Sequence, residues 1–154
     1  MRMTEICACH ARVQLNKGQD IVTWRIEQAK AILAAIGDIP GLRRPVQKFG
    51  CRHVYYTIPF LVDPSDRPGR VYPPETRAWF CKLLREMGVP IVEGYVEPLY
   101  RLPAFSQFAR SCPVAEDLHD RRLLYIENCA WDFTPEQIRQ VGEAFHKAAE
   151  AVKL

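Results

Sequence analysis

Residues 20–36 carry the pattern that most constrains how this chain can fold. Apolar side chains recur there at spacings of three and four, as they do along one face of an α-helix. Asp20 is a favourable N-cap residue, and Gly37 can close a helix in a left-handed conformation. The sequence therefore predicts a long helix, whose apolar positions are Val22, Ile26, Ala29, Leu33 and Ile36.

A shorter helix is predicted ahead of it. Apolar positions from Thr4 to Leu15 again step by three or four, and Asn16 and Gly18 then interrupt the pattern. We therefore expect two N-terminal helices separated by a break.

Two more helices are expected later in the chain. One runs from a proline start at Pro74 to a glycine stop at Gly88. The last has Thr134 as its N-cap, Pro135 at its first position and Gln137 completing a capping box. These terminal signals predict well-defined helix boundaries.

Three segments predict β-strands. Residues 54–61 are β-branched and aromatic with alternating polarity, and residues 89–92 and 123–126 are shorter apolar runs. Pro59 cannot donate to a β-ladder, so we expect an edge position or a bulge there.

This order of elements predicts an α+β fold. Two N-terminal helices should precede a small, mostly antiparallel three-stranded sheet covered by helices. Residues 1–37 would form helices of the interdomain type, and residues 38–154 a small α+β domain, together making one compact unit.

Composition limits the classes of function. The chain has 154 residues, 48% of them hydrophobic, which is enough for one core. Its 21 basic and 18 acidic residues are spread along the sequence, which argues against a nucleic-acid or membrane surface. No membrane-spanning run or secretory signal is evident, so we expect a cytoplasmic protein with reduced cysteines.

Local motifs for catalysis or metal binding are weak. A helix places Cys7 and Cys9 on different faces, and no second ligand pair follows His10, so no metal site is predicted. The six lysines fall on polar helix faces, helix ends or loops. None is expected in the dry pocket that lowers a lysine pKa for Schiff-base chemistry.

The loop over residues 94–103 is the best candidate for a ligand-facing surface. Tyr95, Tyr100 and Arg101 lie on a proline-stiffened backbone that can present polar groups from a fixed position. The alternative is that the tyrosines plug the sheet edge and Arg101 is solvated. His53 has the same two interpretations, with packing favoured.

Several segments together resemble one family. The chain is similar along its whole length to the DegT/StrS pyridoxal-phosphate-dependent aminotransferases, and Tyr100 with the Cys112-Pro113 box is more similar to the aminocyclitol and aminohydroxybenzoate branch. The segments that carry the resemblance are Arg2–Ile6, Arg12–Leu15, Ile39–Leu42, His53–Tyr56, Gly94–Pro103, Cys112–Glu116 and Thr134–Val141.

The resemblance implies the C-terminal part of a fold-type-I aminotransferase. In that family the cofactor lysine, the ring-stacking aromatic and most phosphate ligands belong to the large domain, which we do not find in this sequence. Pyridoxal phosphate is thus implied as cofactor, but this chain is not expected to bind it alone. Arg2 would lie toward a partner subunit's cofactor phosphate, and Tyr95, Tyr100, Arg101 and His53 would face the substrate.

Two functions remain open at this point. The chain can be the small domain of an aminotransferase that moves an amino group from glutamate or glutamine to a keto sugar or keto cyclitol. It would then act as a homodimer or with a chain that carries the large domain. Alternatively, it is a non-enzymatic interaction or regulatory module that reuses the small-domain fold.

Overall fold

One long helix, α1, opens the fold and spans Glu5–Ile36. The computed structural model describes residues 3–63, 72–108 and 110–154. The Thr4 side chain caps α1 by accepting a hydrogen bond from the backbone N–H of Cys7. The predicted break at Gly18 is wrong, because a glycine inside a helix costs only about 1 kcal/mol, and the flanking turns continue through it.

The remaining α-helices agree with the terminal signals. At the start of α4 (Pro135–Val152), the Thr134 side chain accepts from the Gln137 backbone and the Gln137 side chain accepts from the Thr134 backbone, so the predicted capping box is confirmed. Gly88 ends the second helix with a φ of 82°. The helices after α1 are α2 (Thr76–Glu86), α3 (Pro113–Asp117) and α4 (Pro135–Val152), and a π-helical turn follows α3 over Leu118–Arg122.

A four-stranded antiparallel sheet replaces the three strands expected. Its strands are β1 (Leu42–Arg43), β2 (Ile58–Val62), β3 (Ile91–Glu93) and β4 (Leu123–Ile126), in the order β1-β2-β4-β3. The additional strand is β1, which has two residues and therefore no periodicity to detect in the sequence.

The first predicted strand begins later than expected. Tyr55 has a φ of 50°, a left-handed conformation that ends any extended run from Val54, so β2 starts at Ile58. Pro59 pairs with Tyr125 of β4, while β1 covers only the last two residues of β2. The expected edge strand is therefore wrong, because β2 is an inner strand of the sheet, but Pro59 itself lies beyond the end of β1, where β2 has a single neighbouring strand.

The core forms where α1, α2 and α4 cover one face of the sheet. Phe145 of α4 is fully buried, with its ring centroid 5.2 Å from that of Phe60 in β2 and 5.6 Å from that of Phe80 in α2. Ile32 and Ile36 of α1 are also fully buried. The C-terminal half of α1 is thus part of the core, and the predicted division at residue 37 stays a prediction.

A buried amide pair joins α1 to the loops around the sheet. Gln28 donates to the side-chain oxygen of Asn128 at 2.9 Å, and Asn128 donates to the backbone oxygen of Tyr55 at 2.8 Å. The Gln28 oxygen accepts from the backbone N–H of Phe133. Satisfied buried amides fix relative positions, so these two residues hold the turn before β2 against α1.

The N-terminal half of α1 extends beyond the core. Every described residue up to Lys17 is exposed, including Ile6 at 84% and Leu15 at 78% of its surface. In the part of the chain that the structure describes, no helix is both long enough and apolar enough to cross a membrane.

Candidate functional site

Gly94 sets the path of the loop that follows β3. Its φ is 67°, and its backbone N–H donates to the oxygen of Leu123 at 2.8 Å. A methyl group at this position would lie 3.1 Å from Nε2 of His119. The loop therefore leaves the sheet in close contact with the π-helical turn.

Arg101 is held in a fork by two acidic residues. Its guanidinium donates to both oxygens of Asp120, at 2.7 and 2.8 Å, and to Glu97 at 3.4 Å. His119 lies 2.9 Å from the same Asp120 carboxylate through Nδ1. The hydrogen bonds from Arg101, followed by that from His119, hold the pKa of Asp120 well below its usual range. A substrate carboxylate would have to compete with Asp120 for this guanidinium.

Tyr100 is tied to the start of α3. Its hydroxyl donates to Oε1 of Glu116 at 2.9 Å, and the backbone N–H of Cys112 donates to the same oxygen at 2.9 Å. Partial burial and then the Glu116 bond raise the pKa of Tyr100, while the Cys112 N–H and then the tyrosine bond lower the pKa of Glu116. The phenol is thus oriented toward the protein.

Arg77 of α2 contacts the π-helical turn that carries His119 and Asp120. It is buried, donates to the backbone oxygen of His119, and pairs with Glu93 at 3.3 Å. The sequence contains no motif that marks Arg77, His119 or Asp120. The contact of Arg77 with His119 spans 42 residues and that of Arg101 with Asp120 spans 19, so these contacts leave no local pattern.

Tyr95 belongs to a different group of side chains. Its ring lies 5.6 Å from that of Tyr125 at an interplanar angle of 70°, and both rings line a cavity of about 70 Å³ together with Tyr56 and Glu127. Tyr95 therefore contacts β4, whereas Tyr100 and Arg101 bond to α3, the π-helical turn and Glu97.

His53 stabilises the turn ahead of β2. Its Nδ1 accepts from the backbone N–H of Tyr55 at 2.9 Å, and the two rings lie 4.2 Å apart. This arrangement supports the packing interpretation of His53. Arg2, the predicted phosphate-facing residue, lies outside the described residues. The structure thus places Tyr95, His53 and the Tyr100–Arg101 pair in three separate local environments.

The larger cavities lie elsewhere. One of about 610 Å³ is lined by Trp79 and Leu83 of α2 and by Val152 at the end of α4. Another, of about 640 Å³, lies beside Ile39 and Arg44. Across residues 3–63, 72–108 and 110–154, no group of three His, Cys, Asp or Glu side chains could hold a metal ion.

The sequence of this chain matches one protein family. A sequence model of the DegT/DnrJ/EryC1/StrS aminotransferase family matches residues 1–146. The chain belongs to this family. No curated protein matches the DegT-family chain by sequence.

Solved aminotransferase structures share its fold. 3-Amino-5-hydroxybenzoic acid synthase matches with a TM-score of 0.68 and 21% identity, over 98% of the DegT-family chain and 40% of its own. The aminotransferase from Psychrobacter cryohalolentis matches with a TM-score of 0.73 and 23% identity, and the match covers 99% of the DegT-family chain and 40% of the aminotransferase. The aminotransferase TlmJ from Streptoalloteichus hindustanus matches with a TM-score of 0.70 and 18% identity, and the match covers 93% of the DegT-family chain and 36% of TlmJ. The DegT-family chain spans about two fifths of the length of these structures.

Family membership implies pyridoxal phosphate, which requires a lysine in a desolvated pocket. All six lysines of the DegT-family chain lie in the described residues, and all six are exposed. Their surroundings do not fit a pyridoxal phosphate site. We therefore assign no catalytic step to these residues on their own.

Proposed function

We propose that this chain forms the C-terminal small domain of a DegT/StrS-like aminotransferase. The enzyme would transfer an amino group from glutamate or glutamine to a keto sugar or keto cyclitol. The family match over residues 1–146 carries this proposal. The six exposed lysines support its second part, that the chain is inactive alone and works with a large domain that holds pyridoxal phosphate.

The proposed assembly is a homodimer or a complex with a chain that carries the large domain. Within it, the surface that carries Tyr95, Tyr100, Arg101 and His53 would lie toward the substrate. Glu116 fixes the orientation of Tyr100 by a hydrogen bond, and Asp120 does the same for Arg101. Side chains fixed in this way are suited to a surface that positions a ligand. We place the assembly in the cytoplasm, where the chain's unpaired cysteines would stay reduced.

The proposal is tested by reconstitution. The purified chain is mixed with pyridoxal phosphate, glutamate, a keto sugar and each large-domain chain encoded beside it. Amino transfer is expected only in a mixture that contains both chains, and each chain alone serves as the control. Absence of transfer with every such partner would contradict the enzymatic proposal.

A non-enzymatic interaction module is the second candidate. It is favoured by the exposed apolar residues on the N-terminal half of α1, of which Ile6 and Leu15 are the most exposed. Apolar surface of this kind is usually covered by a partner. This alternative predicts a stable dimer or heterocomplex without cofactor, and a monodisperse monomer in light scattering would contradict it.

A further inference from the structure

Three tyrosines from separate segments converge beside the sheet. Tyr56 precedes β2, Tyr95 follows β3, and Tyr125 lies in β4. In β4 the neighbours of Tyr125, Leu124 and Ile126, are fully buried in the core, so strand alternation directs Tyr125 to the opposite face. The three rings together line the cavity of about 70 Å³, which we call the tyrosine pocket.

The tyrosine pocket also contains an acidic residue. Glu127 lines it beside the three rings. Among the described residues, no lysine, arginine or histidine forms an ion pair with Glu127. Partial burial, followed by the negative charge of Glu127, raises the pKa of Tyr125, so the carboxylate acts electrostatically on the ring system. Among the described residues that line the pocket, Glu127 carries a negative charge and none carries a positive one.

Aromatic faces attract cations because the ring quadrupole places negative charge above and below the ring. Several tyrosines around one small space, with one carboxylate, are the arrangement that recognises alkylammonium groups. We propose that the tyrosine pocket binds the ammonium head group of a small organic cation. At about 70 Å³ it has room for a head group, while the rest of the ligand would extend into solvent past the exposed rings of Tyr56 and Tyr95.

This binding needs neither pyridoxal phosphate nor a second chain. All the residues that line the tyrosine pocket are in this chain, and Tyr56 and Tyr95 are 64% and 53% exposed, so the pocket is open to solvent. A failure to bind cations would leave the aminotransferase proposal untouched, and a failure of amino transfer would leave this one untouched.

The experiment compares choline with its neutral isostere 3,3-dimethyl-1-butanol. The two differ in charge and have nearly the same shape, so isothermal titration of the full chain separates cation binding from apolar contact. Choline is expected to bind saturably and at least about threefold more tightly than the isostere, as cation–π energies imply. Equal affinity for both compounds, or no saturable choline binding, would overturn the proposal.

Variants test which side chains are responsible. Y56L and Y125L should each weaken choline binding about threefold or more, whereas Y56F and Y125F keep the ring and should bind as the parent does. E127Q should also weaken binding. Tyr56 is exposed, so Y56L stays informative if Y125L fails to fold. W79L on α2 is the matched control, and unchanged choline affinity in Y56L, folded Y125L and E127Q would overturn the assignment.

Discussion

At the scale of single residues, this chain's loop side chains are ordered by their protein partners. The sequence gives no partner for the side chains of Tyr100 and Arg101. In the structure, each forms a hydrogen bond with an acidic residue 16 to 19 positions later in the chain. Each hydrogen bond shifts the pKa of the groups that form it, so the stability of the contact depends on pH. The consequences can be measured directly.

Asp120 should make stability depend on acid pH. Because Arg101 holds the pKa of Asp120 below its unfolded value of about 3.9, its contribution is present above that value and is lost as pH falls through the folded pKa. We expect D120N to lower the melting temperature at pH 7, and we expect this difference from the parent to shrink below about pH 4. E86Q, at an exposed position on α2, is the control. A difference that stays constant from pH 7 to pH 3 would contradict this interpretation.

Cys81 should be chemically silent in the folded protein. Burial, followed by the charge of Glu93, raises the pKa of the Cys81 thiol to about 12, and the other five cysteines are exposed. Reactivity follows the thiolate fraction and access. Iodoacetamide at pH 8 should therefore modify five cysteines in the native state and the sixth only in denaturant. Rapid native labelling of Cys81 by mass spectrometry would show that the core around α2 opens.

At the scale of elements, the contact between α1 and α4 depends on one glycine. A methyl group at Gly142 of α4 would lie 2.5 Å from the Ala35 carbonyl oxygen of α1. At Gly18 of α1, by contrast, such a methyl group would have no atom within 4 Å apart from the adjoining backbone of its own helix. The two positions share a residue type and a helical setting, so they make a matched pair.

The same substitution should therefore have opposite effects at these positions. G142A should destabilise the chain by about 1–3 kcal/mol through overpacking, despite the better helix propensity of alanine. G18A should be neutral or stabilise by up to about 1 kcal/mol. Chemical denaturation measures both. Equal effects of the two substitutions would mean that α1 and α4 do not approach each other this closely.

Elements with local signals were predictable, and elements set by tertiary contacts were not. The Thr134 capping box is complete within four residues, so the start of α4 could be predicted. The break at Gly18 was wrong because one glycine cannot outweigh the helical turns on both sides of it. Strand β1 exists only because Leu42 and Arg43 pair with the end of β2, which no local pattern reveals.

At the scale of the whole molecule, the candidate site was predicted only in part. The loop over residues 94–103 could be picked out by its aromatic residues and prolines. The sequence does not show that this loop divides into two environments. Tyr95 packs against Tyr125, while Arg101 bonds to Asp120, and both contacts depend on the pairing of β3 with β4. Side chains that converge across a sheet leave no spacing in the sequence.

The family assignment leads to one expectation for the complete assembly. We propose that this chain, which has a core of its own and only exposed lysines, positions a ligand while a large domain supplies the cofactor lysine. We therefore expect another part of the proposed assembly to hold pyridoxal phosphate.

Borohydride reduction followed by mass spectrometry tests this claim most directly. The chain is incubated with one equivalent of pyridoxal phosphate, alone and with a large-domain partner, then reduced and digested. We expect a stoichiometric pyridoxyl group on a lysine of the partner and none on this chain in either sample. One equivalent on a single lysine among Lys17, Lys30, Lys48, Lys82, Lys147 and Lys153 of the isolated chain would contradict it.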